Sequence, residues 1–158
     1  MAFIKFRIEN NVVILVKIKT MNFWLIKSEP FKYSWETFKK DKKACWDGVR
    51  NYAARNNLRD MKKGDLAFFY HSNEGVEIVG IAKVLNEHYL DPTSDEKAWL
   101  AVDFVPYKEL KSPVKLETLK KDPFFKNMDL IRLSRLSVGK VTETEFYKIC
   151  DLGGVQLK

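Results

Sequence analysis

The stretch CWDGVRNYAARNNLRDMKKGDLAFFYHS, residues 45–72, decides how this chain is read. Trp46 precedes Gly48, Arg and Asn residues follow on a helical pattern, and an aromatic strand ends in His71–Ser72. A packed core has no use for so many polar side chains with directed hydrogen-bonding groups. At about 100° per residue, Ala54, Leu58 and Met61 fall on one stripe, the core face of a helix from about Val49 to Met61. Asp47 is placed to cap its start, and Lys63–Gly64 to close it. Tyr52 and Asn56 lie roughly opposite the core stripe, near Val49 and Ala53, on a face half aromatic and half amide. Gly48 and the free N–H groups at the helix start offer an anion site. The plainer alternative is a solvated basic helix whose Asn residues only cap and turn.

In LAFFYHS, side chains alternate, so Phe68 and Tyr70 share one face and Phe69 and His71 the other. Ser72 points back toward the face of Tyr70. His71 and Ser72 therefore cannot pair as base and nucleophile, which requires contact at about 3 Å. A lone histidine at a strand end is more often structural than functional.

Working outward, Phe23–Ile26 reads as a buried strand ended by Lys27-Ser28-Glu29-Pro30. Ser34 is the expected N-cap of a short helix with Glu36 in its first turn. Strands are expected at Leu66–Tyr70, Glu77–Leu85 and Trp99–Val105, and a lysine-rich helical turn after Pro113. Leu130–Leu136 leads into a strand around Ser137–Val141. Thr142 with Glu145 forms a capping box for a last helix that ends near Gly153–Gly154. Before all this, Ile4, Phe6 and Ile8 alternate, Asn10–Asn11 turns, and Val12, Ile14, Val16 and Ile18 alternate again. Residues 1–20 read either as that hairpin or as an N-terminal extension, since Met21 can itself begin a domain. Strands with helices inserted, without strict βαβ alternation, predict an α+β fold around a small, partly closed barrel.

The 158 residues suffice for one domain with a core of its own. Lys plus Arg number 28 against 21 for Asp plus Glu, a net charge of +7 that favours polyanionic partners, nucleic acid first. Cys45 and Cys150 are too few for a disulfide framework and read as reduced thiols of an intracellular protein. No apolar run is long enough to span a membrane, and none is followed by a cleavage site. Cys45, His71, His88 and Cys150 lack metal-ligand spacing, and no glycine-rich phosphate cradle occurs. No metal and no cofactor are expected.

From Phe23 to about Leu152 the chain resembles the EVE domain family of the PUA-like superfamily. The segments that carry the resemblance are FWLIKSEP (23–30), CWDGVRNYAARNNLRDMKKGD (45–65), FFYHSN (68–73), VGIAKV (79–84), YLDPTS (89–94), AWLAVDF (98–104) and RLSRLSV (132–138). Ala53 departs from the family, whose members often carry Gln there. The resemblance implies a PUA-like small mixed β-barrel with flanking short helices over residues 21–158, leaving residues 1–20 outside. It also implies a non-catalytic reader of a modified base, a modified cytosine or related base in DNA or RNA. The implied aromatic-lined pocket draws on Trp24, Lys27, Ser28, Glu29, Trp46, Asn51, Tyr70, His71, Ser72, Arg135 and Ser137. Arg50, Arg55 and Arg59 are the expected phosphate contacts, which position without reading sequence. Trp46 is the first choice as stacking platform and Tyr70 the second, each aromatic face worth about 1–3 kcal/mol per base. The chain is expected as a monomer that binds nucleic acid and neither metal nor membrane, cytoplasmic in a bacterium and nuclear in a eukaryote. Two other classes stay open: an acid–base enzyme using Glu29 or His71, and a basic domain that docks an acidic protein.

Overall fold

Alternating apolar side chains on both faces of one sheet organise the molecule. The computed structural model describes residues 4–10, 12–17 and 20–157. Strands β1 (Ile4–Glu9) and β2 (Val12–Lys17) pair antiparallel, Ile4 opposite Lys17, with Asn10 in the left-handed region at the turn. Asn11 and Ile18, assigned from sequence to the turn and the second strand, lie outside the described residues.

Six strands form the main sheet: β3 (Phe23–Ser28), β4 (Ala44–Trp46), β5 (Leu66–His71), β6 (Glu77–Leu90), β7 (Leu100–Lys115) and β8 (Val138–Val141). Their order is β4-β7-β6-β5-β3-β8. Only β3 and β5 run parallel, Phe23 beside Leu66 and Ser28 beside His71. That register puts the ends of both strands side by side, and the Ser72 N–H donates to the Ser28 carbonyl at 2.9 Å.

Helices α1 (Trp35–Asp41) and α2 (Tyr52–Asp60) cover one face, where Trp24, Ile26 and Phe69 meet Phe38, Ala54 and Leu58. On the other face Phe23, Phe68 and Tyr70 pack with Phe146 and Ile149 of α5 (Glu143–Leu152). Helices α3 (Leu116–Lys121) and α4 (Asp129–Arg132), with a 3-10 turn at Pro123–Phe125, complete that side. Burial from both sides explains why Phe68 and Phe69, neighbours on opposite faces, are both fully enclosed. Gly80 is required by close approach, because a Cβ there would lie 2.4 Å from the Trp35 ring.

The caps at Ser34 and Thr142 form as expected: Ser34 accepts from the Thr37 N–H, and Thr142 and Glu145 close a capping box. Asp47 does not cap α2. Gly48 turns the chain through a left-handed conformation, and Asn51 becomes the cap, accepting from the Ala54 N–H at 3.0 Å. The helix therefore starts at Tyr52 rather than Val49. Strands β6 and β7 outrun the expected ranges because they pair with each other well past the rest of the sheet, from Glu77–Lys115 to Leu90–Leu100.

The α+β class and the short flanking helices stand, while the described residues do not show the barrel. Among the described residues no ladder joins β8 back to β4, the two ends of the sheet. These strands are only 4 and 3 residues long, and α2 packs against β8. Asn57 of α2 donates to the Val138 carbonyl at 2.7 Å, satisfying a buried backbone group with a side chain.

Candidate functional site

A cleft of about 500 Å³ lies between the end of β3, the turn into α1 and strand β4. Ser28, Tyr33 and Trp46 line it, together with the charged Lys32, Asp41, Lys43 and Asp47 and the thiol of Cys45. The half-buried Trp46 is fixed by edge contacts with Tyr33, Phe69 and Phe104, at interplanar angles of 73°, 80° and 84°. Among the described residues no ring stacks parallel on this indole.

Around Trp46 the polar groups are held by their neighbours. The Ser28 hydroxyl donates to the Tyr33 carbonyl, and the Tyr33 hydroxyl donates to Asp41 at 3.0 Å. Burial, then the Asp41 carboxylate, pushes the Tyr33 phenol well above its usual range. Lys43 pairs at 3.0 Å with Asp103, a carboxylate that also accepts from Tyr89 and Asn86. Lys32 pairs with Glu29 at 3.2 Å. Burial raises the Cys45 thiol, and the nearby Asp47 and Asp103 charges add to the effect, so it is not primed as a nucleophile. Lys32 and Lys43 are matched by Asp41 and Asp47, so the cleft lining carries no net excess of positive side chains.

Of the residues named from sequence, Ser28 and Trp46 meet on this cleft, and Glu29 adjoins it through its pair with Lys32. Trp24 lies elsewhere, 4% exposed, its indole N–H donating to Asp65 at 3.0 Å inside the core. Tyr70 is 3% exposed in the opposite core, its ring 5.9 Å from the Lys27 ammonium. Lys27 donates to the Ser134 carbonyl, and burial lowers its pKa. His71 accepts from the Trp35 N–H at 3.1 Å through Nε2, which ties β5 to the start of α1. That acceptor must be neutral, and burial lowers the His71 pKa, outweighing the opposing charges of Glu77 and Glu74. Ser72 and Ser137 make backbone bonds to β3 residues, Asn51 caps α2, and Arg135 is exposed.

The arginines divide. Arg50 donates to Asp91 at 2.7 Å and to Thr93 at 3.0 Å, beside the Trp99 ring. The enclosed Asp91 carboxylate also takes the Gly48 N–H and both donors of Thr93. Burial alone would raise its pKa, but these bonds outweigh burial and hold it far below the usual carboxylate range. Arg55 donates to the Ala98 carbonyl and lies over Tyr52, while Arg59 is exposed beside Asp60. On α2 the buried Arg55 Nε and Asn56 Oδ1 have no hydrogen-bonding partner.

Sequence reasoning missed Lys32, Tyr33, Asp41 and Lys43 as cleft residues. The available signal is the aromatic and basic run FKYSW after the strand, whose pattern also marks the start of a helix. Among the described residues no group of three or more His, Cys, Asp or Glu side chains could hold a metal. No described helix is long and apolar enough to cross a membrane.

Known proteins share this sequence and fold. Thymocyte nuclear protein 1 of Mus musculus is 40% identical over 83% of this chain and 73% of its own length. A solved structure from Agrobacterium tumefaciens is 47% identical with a TM-score of 0.82, covering 85% of this chain and 94% of that one. The human THYN1 protein, solved in complex with 5-methylcytosine-containing DNA, is 35% identical with a TM-score of 0.77, over 86% and 99% of the two chains. The family model described as the EVE domain matches residues 22–152, and the chain belongs to the EVE domain family.

Proposed function

We propose that this chain is a non-catalytic reader of a modified base in nucleic acid, best matched by a modified cytosine in DNA, and that the cleft lined by Trp46 receives the base. The observation that carries the reading is an indole fixed at its edges, with no ring of the described residues stacked on it, on a cleft of about 500 Å³. That volume falls in the ordinary range for small-ligand pockets. The human relative in complex with 5-methylcytosine-containing DNA supports the choice of ligand class.

Extruding a base from a duplex costs a few kcal/mol. Stacking on one aromatic ring returns about 1–3 kcal/mol. Discrimination then comes from fixed polar groups around the base edge, because a wrong base leaves them buried and unpaired. Ser28, Asp41 and Asp47 supply that edge. In the proposed pocket Trp46 keeps its place as the platform, without Trp24 and Tyr70, whose rings are enclosed in the two cores. Arg59 and Arg135, exposed outside the cleft, take phosphates, while Arg50 is occupied by Asp91. Glu29 and His71 are engaged by Lys32 and Trp35, which argues against an acid–base pair. Residues 21–158 act as the reading domain, its sheet a PUA-like barrel left partly open, with residues 1–20 as an extension; in a eukaryote the protein works in the nucleus.

Titration of duplexes that match except for one 5-methylcytosine tests the function. The reading expects tighter binding of the modified duplex and affinity that falls steeply with salt. Equal binding of both duplexes, or of neither, removes it. Salt-sensitive binding that ignores the modification favours a basic docking domain instead.

A further inference from the structure

We propose that Phe31 is a wedge that enters the base stack at the position the read base has left. This rests on the base-reading function above and adds the residue that keeps the duplex open. Phe31 leaves 73% of its surface in water, so the core does not account for it. The segment that carries it is nevertheless a tight turn. The N–H groups of Lys32 and Tyr33 both donate to the Glu29 carbonyl, at 3.0 and 2.9 Å, and Pro30 restricts the backbone just before the ring. A fixed turn that presents a bare aromatic ring to solvent suits insertion better than folding.

Its position gives the ring a target. Ser28 before it and Lys32 and Tyr33 after it line the Trp46 cleft. Consecutive Cα atoms are about 3.8 Å apart, so a nucleotide seated in the cleft leaves its gap within reach of the turn. The Lys32 ammonium, ion-paired with Glu29 at 3.2 Å, stands 5.5 Å from the Phe31 ring centroid, so the wedge is flanked by a surface ion pair. Removing a base unstacks its neighbours and orphans its partner. Proteins that open or kink a duplex offset that cost by inserting Phe, Leu, Ile or Met between the steps.

The test uses the full chain and three variants of one probe: a duplex with a single 5-methylcytosine and 2-aminopurine beside it, the same modified strand alone, and the duplex with plain cytosine. Phe31→Ala is expected to weaken binding of the modified duplex about tenfold, near the lower end of one aromatic–base stack. It should also abolish the 2-aminopurine fluorescence rise, and change single-strand binding by less than about twofold. Phe31→Leu should keep most of the duplex affinity, because an apolar wedge survives. Wild-type duplex affinity in Phe31→Ala overturns the proposal. So does an equal loss on duplex and single strand, which would make Phe31 a contact of the base itself. If wild type fails to prefer modified over plain duplex, the base-reading function falls and the wedge with it; that result shows in the wild-type arm alone.

Discussion

Residues 45–47 and residues 48–57 follow one another in the chain and share an excess of aromatic and polar side chains, yet the fold uses them in opposite ways. Cys45, Trp46 and Asp47 line the open cleft. The next segment turns inward: the Gly48 N–H and Arg50 go to Asp91, Asn51 caps α2, Arg55 bonds Ala98, and Asn57 bonds Val138. The contrast teaches that directed polar groups signal either a ligand or an internal network. Only partners distant in sequence tell the two apart, here residues 91, 98 and 138.

Changes on either side of this boundary should separate folding from binding. The largest effect is expected from Asp91→Ala, which strips the acceptor from Gly48, Arg50 and Thr93 at once. Leaving buried donors unpaired costs roughly 3 kcal/mol, discounted here because Arg50 is partly exposed. A thermal melt should drop by roughly 6–12 °C. An unchanged melt would mean that the inward network does not hold the loop.

Next comes Trp46→Ala on the cleft side. Affinity for the modified duplex should fall about tenfold or more, following the loss of one stacking face. Far-UV circular dichroism should stay native because this indole is only half-buried. Loss of the fold instead would move Trp46 to the structural side of the comparison.

Asn51→Ala removes a helix cap and should cost about 1 kcal/mol in urea denaturation. Selectivity of the folded fraction should persist, and its loss would make Asn51 a ligand contact. His71 gives a pH-dependent effect. Its folded pKa lies below the ordinary 6.5, so the unfolded chain binds the proton first. Stability should be level above that value and decline as pH falls from 6.5 toward the folded pKa. The decline should be shallower in His71→Gln, measured by urea midpoints across that window. Arg59→Ala should be smallest, weakening all duplexes alike by less than about twofold with a slightly reduced salt slope.

Much of the fold was legible because local rules decide it. Ser34 and the Thr142–Glu145 box fixed two helix starts, and the stripe Ala54, Leu58, Met61 named the buried face of α2. The second helix start was missed because Gly48 spends three residues on a turn before Asn51, and Asp47 satisfied the same pattern. The strand order was not legible, since pairs such as Phe23 beside Leu66 join residues far apart in the sequence. Of the cleft lining, Ser28 and Trp46 were named through the family resemblance, and Trp46 also through its placement before Gly48. Trp24 was not distinguishable from Trp46 by type; what separates them is Asp65, which takes the Trp24 indole N–H from within the core. Tyr33 and Lys43 were hidden because nothing local links the turn before α1 to β4.

The most direct measurement is the structure of the full chain bound to a duplex carrying one 5-methylcytosine. The account predicts the modified base outside the helix, stacked on the Trp46 indole with its polar edge toward Ser28 and Asp41. A base still paired in the duplex, or held at a different cavity with the Trp46 cleft empty, would contradict it.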